Sequence, residues 1–179
     1  MFAFKEWTLI CDALERGGQS LIIRKGGIAE GREGFRFKHE EFALFPTLFH
    51  EQAAKLKVTA GTTLPAARSD GLHEIRLVAR VEWTADVTDW EKVRALAPFH
   101  LWQESEIEKR FRQDDAPGVS LAFVRVLRLS EAHLFPDSSR YGGCRSWIEV
   151  PDLPGGVTMA QVIADEEHRR RDSAVRAVL

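Results

Sequence analysis

A pair of cations followed by two glycines, at residues 24–27, is the first feature of the sequence that could do chemistry. Arginine and lysine neutralise phosphates, and glycine lets a backbone approach a phosphate or a base closely. Further cations or donors follow at Arg32, Arg36 and His39. The segment therefore predicts an anion site whose members are Arg24, Lys25, Gly26, Gly27, Arg32 and Arg36. A plain strand-to-loop turn with solvated cations is the alternative interpretation.

A second candidate contact lies late in the chain, where the string GCRSW covers residues 143–147. Arg145 and Trp147 have the same parity in a predicted strand, so both side chains should lie on one face. An arginine beside an aromatic ring can hold a phosphate and stack on a base. Core packing is the alternative for Trp147. We expect Cys144 to be a structural thiol, because a catalytic thiol needs a base and an electropositive setting.

Thr47 and His50 follow an apolar run that ends at Pro46. A hydroxyl and an imidazole at these positions could form the rim of a ligand pocket. Thr47 also suits the N-terminal cap of a helix, and the sequence favours this structural role. Both residues remain candidate ligand contacts.

General acid–base chemistry would need a carboxylate or an imidazole next to the cations. Glu30, Glu33 and His39 are the candidates, although a carboxylate among cations is more often an ion-pair partner. The sequence contains no GxGxxG, GxxxxGK[ST], GxSxG or HExxH motif, and its 6 histidines are scattered singly. The sequence therefore assigns no catalytic residue and predicts neither a metal nor a cofactor.

The charge distribution restricts the kind of ligand. The 179-residue chain has a net charge of −2, which excludes a globally basic nucleic-acid binder. Residues 16–40, however, hold 6 lysines and arginines against 3 glutamates. Such a segment can form an anion-binding face within an acidic protein. A solvated loop of mixed charge is the alternative.

The two cysteines, Cys11 and Cys144, are too few for a disulfide scaffold. No stretch is apolar enough for a membrane helix, and charges interrupt the first seven residues where a signal peptide would be apolar. We therefore expect free thiols, a cytoplasmic protein and no membrane partner.

These candidates depend on the elements that position them. Apolar spacing predicts a helix over residues 3–15, which Gly17 and Gly18 end. Strands are predicted over residues 20–25, 35–38, 42–45, 74–87, 119–129 and 145–150. Shorter helices are predicted over residues 50–56, 89–96 and 104–111. Residues 59–72 are rich in threonine, glycine, alanine and proline and predict a mobile loop.

The order of these elements predicts an α+β fold. Because no regular crossover helices separate the strands, we expect a mostly antiparallel sheet closed as a small barrel with flanking helices. Residues 1–156 should form a single domain. Residues 157–179 should form a helical tail, which we expect to be mobile.

Seven strings together resemble an uncharacterised bacterial family of domains of unknown function. They are KEW (5–7), LIIRKGGI (21–28), EGREGF (30–35), LFPT (44–47), HLW (100–102), RF (110–111) and GCRSW (143–147). The family is sometimes fused to a restriction-endonuclease-like domain of the Mrr type. The resemblance therefore implies work on nucleic acids in a defence or restriction context.

The opening of the chain is similar to the ASCH branch of PUA-like domains, in which a helix leads into a strand with a glycine, a lysine, a glutamate and an arginine. Gly18 matches the glycine and Arg24 the arginine, whereas Ser20 and Ile22 stand at the lysine and glutamate positions. The resemblance implies a PUA-like barrel that binds RNA or modified nucleotides. Because two of these four positions differ, the resemblance implies no catalytic residue in this chain.

The expected function is binding of RNA, DNA or a nucleotide in a basic cleft. The cleft should be lined by Arg24, Lys25, Arg32, Arg36 and His39, with Arg145 and Trp147 opposite. The first alternative is a nuclease or nucleoside-type hydrolase that uses a carboxylate or histidine beside the cleft. The second alternative is a protein-interaction module that docks through residues 59–72 or through the tail.

Overall fold

The computed structural model describes residues 1–25, 35–59, 61–66, 68–113 and 116–179. Its seven strands are β1 Phe2–Trp7, β2 Leu21–Arg24, β3 Glu41–Thr47, β4 Leu72–Val87, β5 Val119–Pro136, β6 Trp147–Glu149 and β7 Met159–Gln161. Its five α-helices are α1 Thr8–Glu15, α2 Gln52–Lys55, α3 Trp90–Ala95, α4 Glu104–Phe111 and α5 Asp165–Arg176. Among these helices, none is both long enough and apolar enough to cross a membrane.

All seven strands belong to one mixed sheet with the order β2-β5-β4-β3-β1-β6, and β7 pairs with β5. The pairing is antiparallel except between β1 and β3, which are parallel. The long hairpin of β4 and β5 forms the centre, and two register shifts bend it between Ile75 and Leu77 and between Val81 and Trp83. The α+β class and the mostly antiparallel sheet are therefore confirmed.

The closed barrel is not confirmed. Within the described ranges, backbone pairing runs from β2 at one edge to β6 at the other, and no strand pair joins these two edges. The sheet nevertheless curls, since a side chain of β2 reaches the backbone of β1, as described below.

The first predicted helix is wrong over its first residues, which form β1. Ala3 and Phe4 are both fully buried, because β1 lies between β3 and β6 and is covered on both faces. Backbone pairing on two sides outweighs the local helical spacing, and α1 begins only at Thr8. The apolar positions of α1 then face the core as the spacing predicted, with Ile10, Cys11 and Leu14 among them.

The predicted strand over residues 35–38 is also wrong. Phe35 is buried, Arg36 is exposed and Phe37 is half-buried, so the alternation of side chains is real. The Phe35 carbonyl, however, accepts a hydrogen bond from the Ser120 hydroxyl at 3.2 Å instead of forming a strand ladder. The alternating pattern therefore arises because Phe35 and Phe37 pack on other aromatic rings rather than from a strand.

Two further strand segments were not predicted. Residues 130–136 continue β5 rather than forming a connection, because they pair with the first residues of β4. Residues 159–161 form β7 instead of helix, because they add to β5 opposite residues 127–129. Helix α5 follows and packs on the sheet, where the Trp83 indole donates to Asp172 at 2.5 Å. The mobility of the tail and the domain boundary at residue 156 stay predictions.

Apolar side chains form two clusters. The larger contains residues of α1, α3 and α4 together with β2 and half of β4 and β5, and its largest fully buried side chains are Trp102, Phe4, Phe42 and Phe123. The smaller contains Phe45, Ile75, Phe135, Tyr141 and Ile148. Because neighbouring residues of a strand point to opposite faces, β1 contributes Phe4 to one cluster and Ala3 to the other.

Candidate functional site

The side chain of Arg24 connects two strands that are far apart in the sheet order. Arg24 ends β2, and its Nη2 donates to the carbonyl oxygen of Lys5 in β1 at 2.5 Å. Its Nη1 lies 3.8 Å from Oε1 of Glu6, and its guanidinium lies 4.8 Å from the ring centroid of Phe4. Strands β5, β4 and β3 separate β2 from β1, so this contact exists only because the sheet curls.

Glu6 is a carboxylate inside the protein, with 1% of its surface exposed. Its Oε1 accepts from the backbone N–H of Trp7 at 2.7 Å, and the Thr47 hydroxyl donates to its carbonyl oxygen at 3.0 Å. Its Oε2 is buried and has no hydrogen-bond partner in the part of the chain that the structure describes. A buried carboxylate needs counter-charges, and the nearby guanidiniums provide them.

Arg110, in the last turn of α4, brings a second guanidinium to this place. It lies 4.1 Å from the ring centroid of Trp102 and 5.3 Å from that of Trp7, and its Nε is 3.7 Å from Oε1 of Glu106. Burial lowers the pKa of Arg110, and the charge of Arg24 lowers it further. The Nε atoms of Arg24 and Arg110 are both buried without a hydrogen-bond partner among the described residues.

We name Glu6, Trp7, Arg24, Trp102 and Arg110 the arginine–tryptophan cluster. The half-buried Trp7 forms its outer edge and lies 5.3 Å from Phe49, whose surface is 38% exposed. Lys55 lies 5.2 Å from the Phe49 ring and adds a cation there. Guanidiniums with unused donors beside partly exposed aromatic rings can hold an anionic group and stack a planar one.

Of the predicted ligand contacts, Arg24 is a member of the arginine–tryptophan cluster, and Thr47 is adjacent to it. Thr47 does not cap a helix: it ends β3, and its hydroxyl donates to Glu6. Lys25 points elsewhere, since its Nζ donates to the carbonyl oxygen of Ala116 at 2.5 Å. Five predicted residues lie outside the described ranges, namely Gly26, Gly27, Glu30, Arg32 and Glu33.

Arg36, His39 and Trp147 are brought together at the other end of β1. The Trp147 indole donates to the Arg36 carbonyl at 3.3 Å, and the His39 ring lies 4.8 Å from that of Trp147. Phe2, which is 42% exposed, stacks on His39 at 3.7 Å. Burial, together with the charge of Lys38, lowers the pKa of His39. Trp147 also packs on the core residue Phe4 at 5.0 Å, so its ring has a structural role.

Arg145 and His50 are exposed and stand apart from the cluster. Arg145 precedes β6, so the parity of that strand does not govern it, and its charge is one cause that lowers the pKa of Lys5. His50 lies in the turn before α2. No group of three or more histidine, cysteine or acidic side chains within the described ranges could hold a metal ion.

The sequence reasoning missed four members of the cluster: Glu6, Trp7, Trp102 and Arg110. Glu6, Trp7 and Arg110 were interpreted only as parts of predicted helices, and Trp102 was assigned to no element. The available signal was the set of strings that carried the family resemblance, because KEW, HLW and RF contain all four. Their convergence at one place in the fold was not visible from the strings themselves.

Comparison with solved structures finds an ASCH protein from Zymomonas mobilis at 11% identity, with a TM-score of 0.45, over 96% of this chain and 93% of that one. A single-residue variant of the same protein matches at 10% identity, with a TM-score of 0.44, over 96% and 94% of the two chains. No curated protein matches the chain. The family described as "Domain of unknown function (DUF1802)" matches residues 3–174. This match covers nearly the whole sequence and confirms the resemblance to such a domain, so the chain belongs to the DUF1802 family.

Proposed function

We propose that this protein binds a phosphate-bearing ligand, a nucleic acid or a nucleotide, at the arginine–tryptophan cluster. One observation carries the proposal: Arg24 and Arg110 keep 12% and 20% of their side chains exposed, and each has a buried Nε without a hydrogen-bond partner in the described part of the chain. Buried donors are nearly always paired, so unpaired ones require an explanation. A phosphate oxygen is the acceptor that guanidinium donors match best.

The aromatic edge of the cluster supports a ligand that carries a base. Trp7 and Phe49 lie side by side and partly exposed, next to Arg110 and Lys55. Bases stack on aromatic side chains with little regard for sequence, while neighbouring cations neutralise the backbone. This arrangement favours an unpaired base over a duplex, in which the base faces are already stacked.

The group of Arg36, His39 and Trp147 belongs to the same proposal as a second contact. Arg36 and Lys38 alternate with inward side chains and are exposed to solvent. They lie beside the stacked rings of Phe2 and His39. A strand of nucleic acid held at the cluster could continue along β1 towards these cations. The expected PUA-like barrel, the cytoplasmic location and an RNA-related or restriction context also remain parts of this proposal.

The test compares two arginines of one helix. Arg110 and Arg112 each pair with a glutamate four residues earlier, but only Arg110 lies in the cluster, and Arg112 is exposed. Labelled single- and double-stranded RNA and DNA are titrated at several salt concentrations. Arg110→Ala should weaken binding about 10-fold for all sequences and flatten the salt dependence by roughly one unit of slope. Arg112→Ala should bind like the wild type, and equal losses in the two variants would contradict the proposal.

Hydrolysis of the bound ligand is the second candidate, and the free Oε2 of Glu6 favours it. A carboxylate beside two guanidiniums could accept a proton while the cations stabilise developing negative charge. Glu6→Gln preserves the shape and separates the two functions. A hydrolase should lose turnover and keep affinity, whereas a binding protein should keep its ligand. If no nucleic acid or nucleotide binds at low salt, both candidates are wrong and the interaction module is the remaining hypothesis.

A further inference from the structure

A cleft of about 650 Å³ lies between α1, β3 and the first residues of β4. Its floor is apolar and includes Leu44, Phe45, Pro46 and Leu77. This volume is typical of small-molecule sites, which combine an apolar lining with a few placed polar groups. Lys5 lines it, and in β1 the side chain of Lys5 points away from the face that carries Phe4 and Glu6. The cleft therefore adjoins the arginine–tryptophan cluster through Thr47, but it is lined by none of the five residues of that cluster.

Lys5 is the unneutralised cation of this cleft. Its Nζ donates to the carbonyl oxygens of Tyr141 and Gly143, each at 2.8 Å, so two of its three protons are used. No carboxylate in the described ranges forms an ion pair with it. Partial burial lowers the pKa of Lys5, as expected for an ammonium without a counter-ion. An anionic group would satisfy the third proton and the charge together.

Asp12 is the complementary group on the wall formed by α1. It is half-buried, and none of the side-chain hydrogen bonds or ion pairs among the described residues involves its carboxylate, although the charges of Arg16 and Arg76 act on it. Burial raises the pKa of this carboxyl more than the charges of Arg16 and Arg76 lower it, and a cationic ligand group would further favour its ionised form. Asp12 lies one helical turn, about 6 Å, beyond Thr8. The Thr8 hydroxyl donates to the Thr47 carbonyl, which leaves its lone pairs free to accept from a ligand.

The other charged groups of the cleft already have partners. Glu74 pairs with both Arg68 and Arg76, and His73 lies 2.6 Å from Asp137. The unpaired charges are therefore a cation at Lys5 and an anion at Asp12, on one continuous stretch of chain. A ligand with a single charge would leave one of them unsatisfied.

We propose that this cleft binds a small zwitterion, an amino acid or related amino-carboxylate, with its acid group on Lys5 and its ammonium group on Asp12. The apolar floor of Phe45, Pro46 and Leu77 contacts the hydrocarbon part of the ligand. This site does not depend on the proposed nucleic-acid function, because it uses none of the residues of the arginine–tryptophan cluster.

Matched probes test the charge requirement by isothermal titration at neutral pH. Glycine, γ-aminobutyrate and ε-aminocaproate carry both charges at increasing separation, whereas butyrate and butylammonium carry one each. One of the zwitterions should bind at least about 10-fold more tightly than either single-charge probe. If butyrate binds as tightly as every zwitterion, or if no zwitterion binds at tens of millimolar, the proposal is wrong.

Three variants and one control test which residue binds each charged end of the ligand. Lys5→Gln should remove the advantage of the zwitterion over butylammonium, and Lys5→Arg should restore part of it. Asp12→Asn should remove the advantage over butyrate. Lys57→Gln is the matched control, because Lys57 also donates to a backbone carbonyl, that of Ala97, but lies outside the cleft. An equal loss in Lys57→Gln would overturn the role of Lys5, and thermal unfolding verifies that each variant is folded.

Discussion

The guanidinium of Arg24 and the carboxylate of Glu6 lie 3.8 Å apart inside the protein, on strands that are not neighbours in the sheet. Removing two charges from water costs free energy that their attraction offsets only if both partners are present. The pair therefore makes the curled arrangement of β2 and β1 specific, since any other approach of these strands would leave a buried charge without a partner. It also places the cations on which the proposed ligand site depends.

The losses caused by replacing the two partners of this pair should not be additive. Arg24→Met leaves Glu6 buried without its nearest counter-charge and should reduce the free energy of unfolding by about 3–5 kcal/mol. Glu6→Gln combined with Arg24→Met should cost clearly less than the sum of the two single variants. Urea unfolding of the four proteins of the cycle measures this coupling. Additive losses would show that the pair does not act as a unit.

Arg110 and Arg112 should differ in stability as well as in binding. Arg110→Ala removes packing against the rings of Trp7 and Trp102 and should cost about 1–2 kcal/mol. Arg112→Ala breaks an exposed ion pair with Glu108 and a single longer ring contact, 5.9 Å from Trp90, and should cost less than about 0.5 kcal/mol. Thermal and urea unfolding compare the two. The same midpoint for both variants would contradict the ring contacts of Arg110.

His100 should make the protein less stable in acid. It is 5% exposed, and its Nδ1 accepts from the backbone N–H of Trp102 at 3.0 Å. Burial, aided by the charge of Lys57, lowers its pKa from 6.5 to about 3. The unfolded chain then binds a proton that the folded chain does not. The stabilisation is thus complete above about pH 6.5 and is lost as the pH falls towards 3.

The variant His100→Asn isolates this effect, because the amide oxygen keeps an acceptor near the Trp102 N–H and does not titrate. Between pH 6.5 and 4, the free energy of unfolding of the wild type should fall more steeply than that of the variant. The difference in slope should be on the order of 1.4 kcal/mol per pH unit. Parallel slopes would show that the folded protein accommodates a charged His100.

The two thiols should react at very different rates. Cys144 is exposed, whereas Cys11 is buried, and burial together with the charge of Glu6 raises the pKa of Cys11 well above its usual value. A thiol reagent with a coloured leaving group should therefore modify Cys144 quickly and Cys11 only after denaturation. Cys144→Ser should abolish the fast phase, and Cys11→Ser should leave it unchanged. A native protein in which neither thiol reacts would contradict this assignment.

Sequence patterns were sufficient to predict a helix or strand wherever the local spacing of apolar residues agrees with their burial in the fold. The alternation in residues 74–87 and 119–129 predicted β4 and β5, which are long and cross the centre of the sheet. The predicted helix over residues 104–111 corresponds to α4, because its apolar positions Ile107 and Phe111 face the core. The helix predicted over residues 89–96 corresponds to α3, which Asp89 caps with its carboxylate accepting from the N–H of Glu91 at 2.9 Å.

Tertiary pairing decided the elements where local spacing was ambiguous. Phe4 and Trp7 fit a helical spacing, but insertion between β3 and β6 satisfies the backbone of β1 on both sides. Phe35 and Phe37 fit a strand, yet they pack on each other at 4.8 Å and on Phe4 without strand pairing. In both cases the deciding interactions come from residues distant in sequence, which a local pattern does not contain.

The candidate site was likewise determined partly by the sequence and partly by the tertiary structure. The sequence by itself determined that Arg24 ends a buried strand and that the family strings contain Glu6, Trp102 and Arg110. Only the tertiary structure decided that these residues meet, because their proximity requires the sheet to curl and α4 to place Arg110 against Trp7 and Trp102. The sequence predicted Arg24 as part of an anion site for a ligand, whereas in the folded chain its guanidinium lies 3.8 Å from the buried carboxylate of Glu6. A linear sequence records the charges, but their energies depend on distance and on exclusion of water, which only the folded chain specifies.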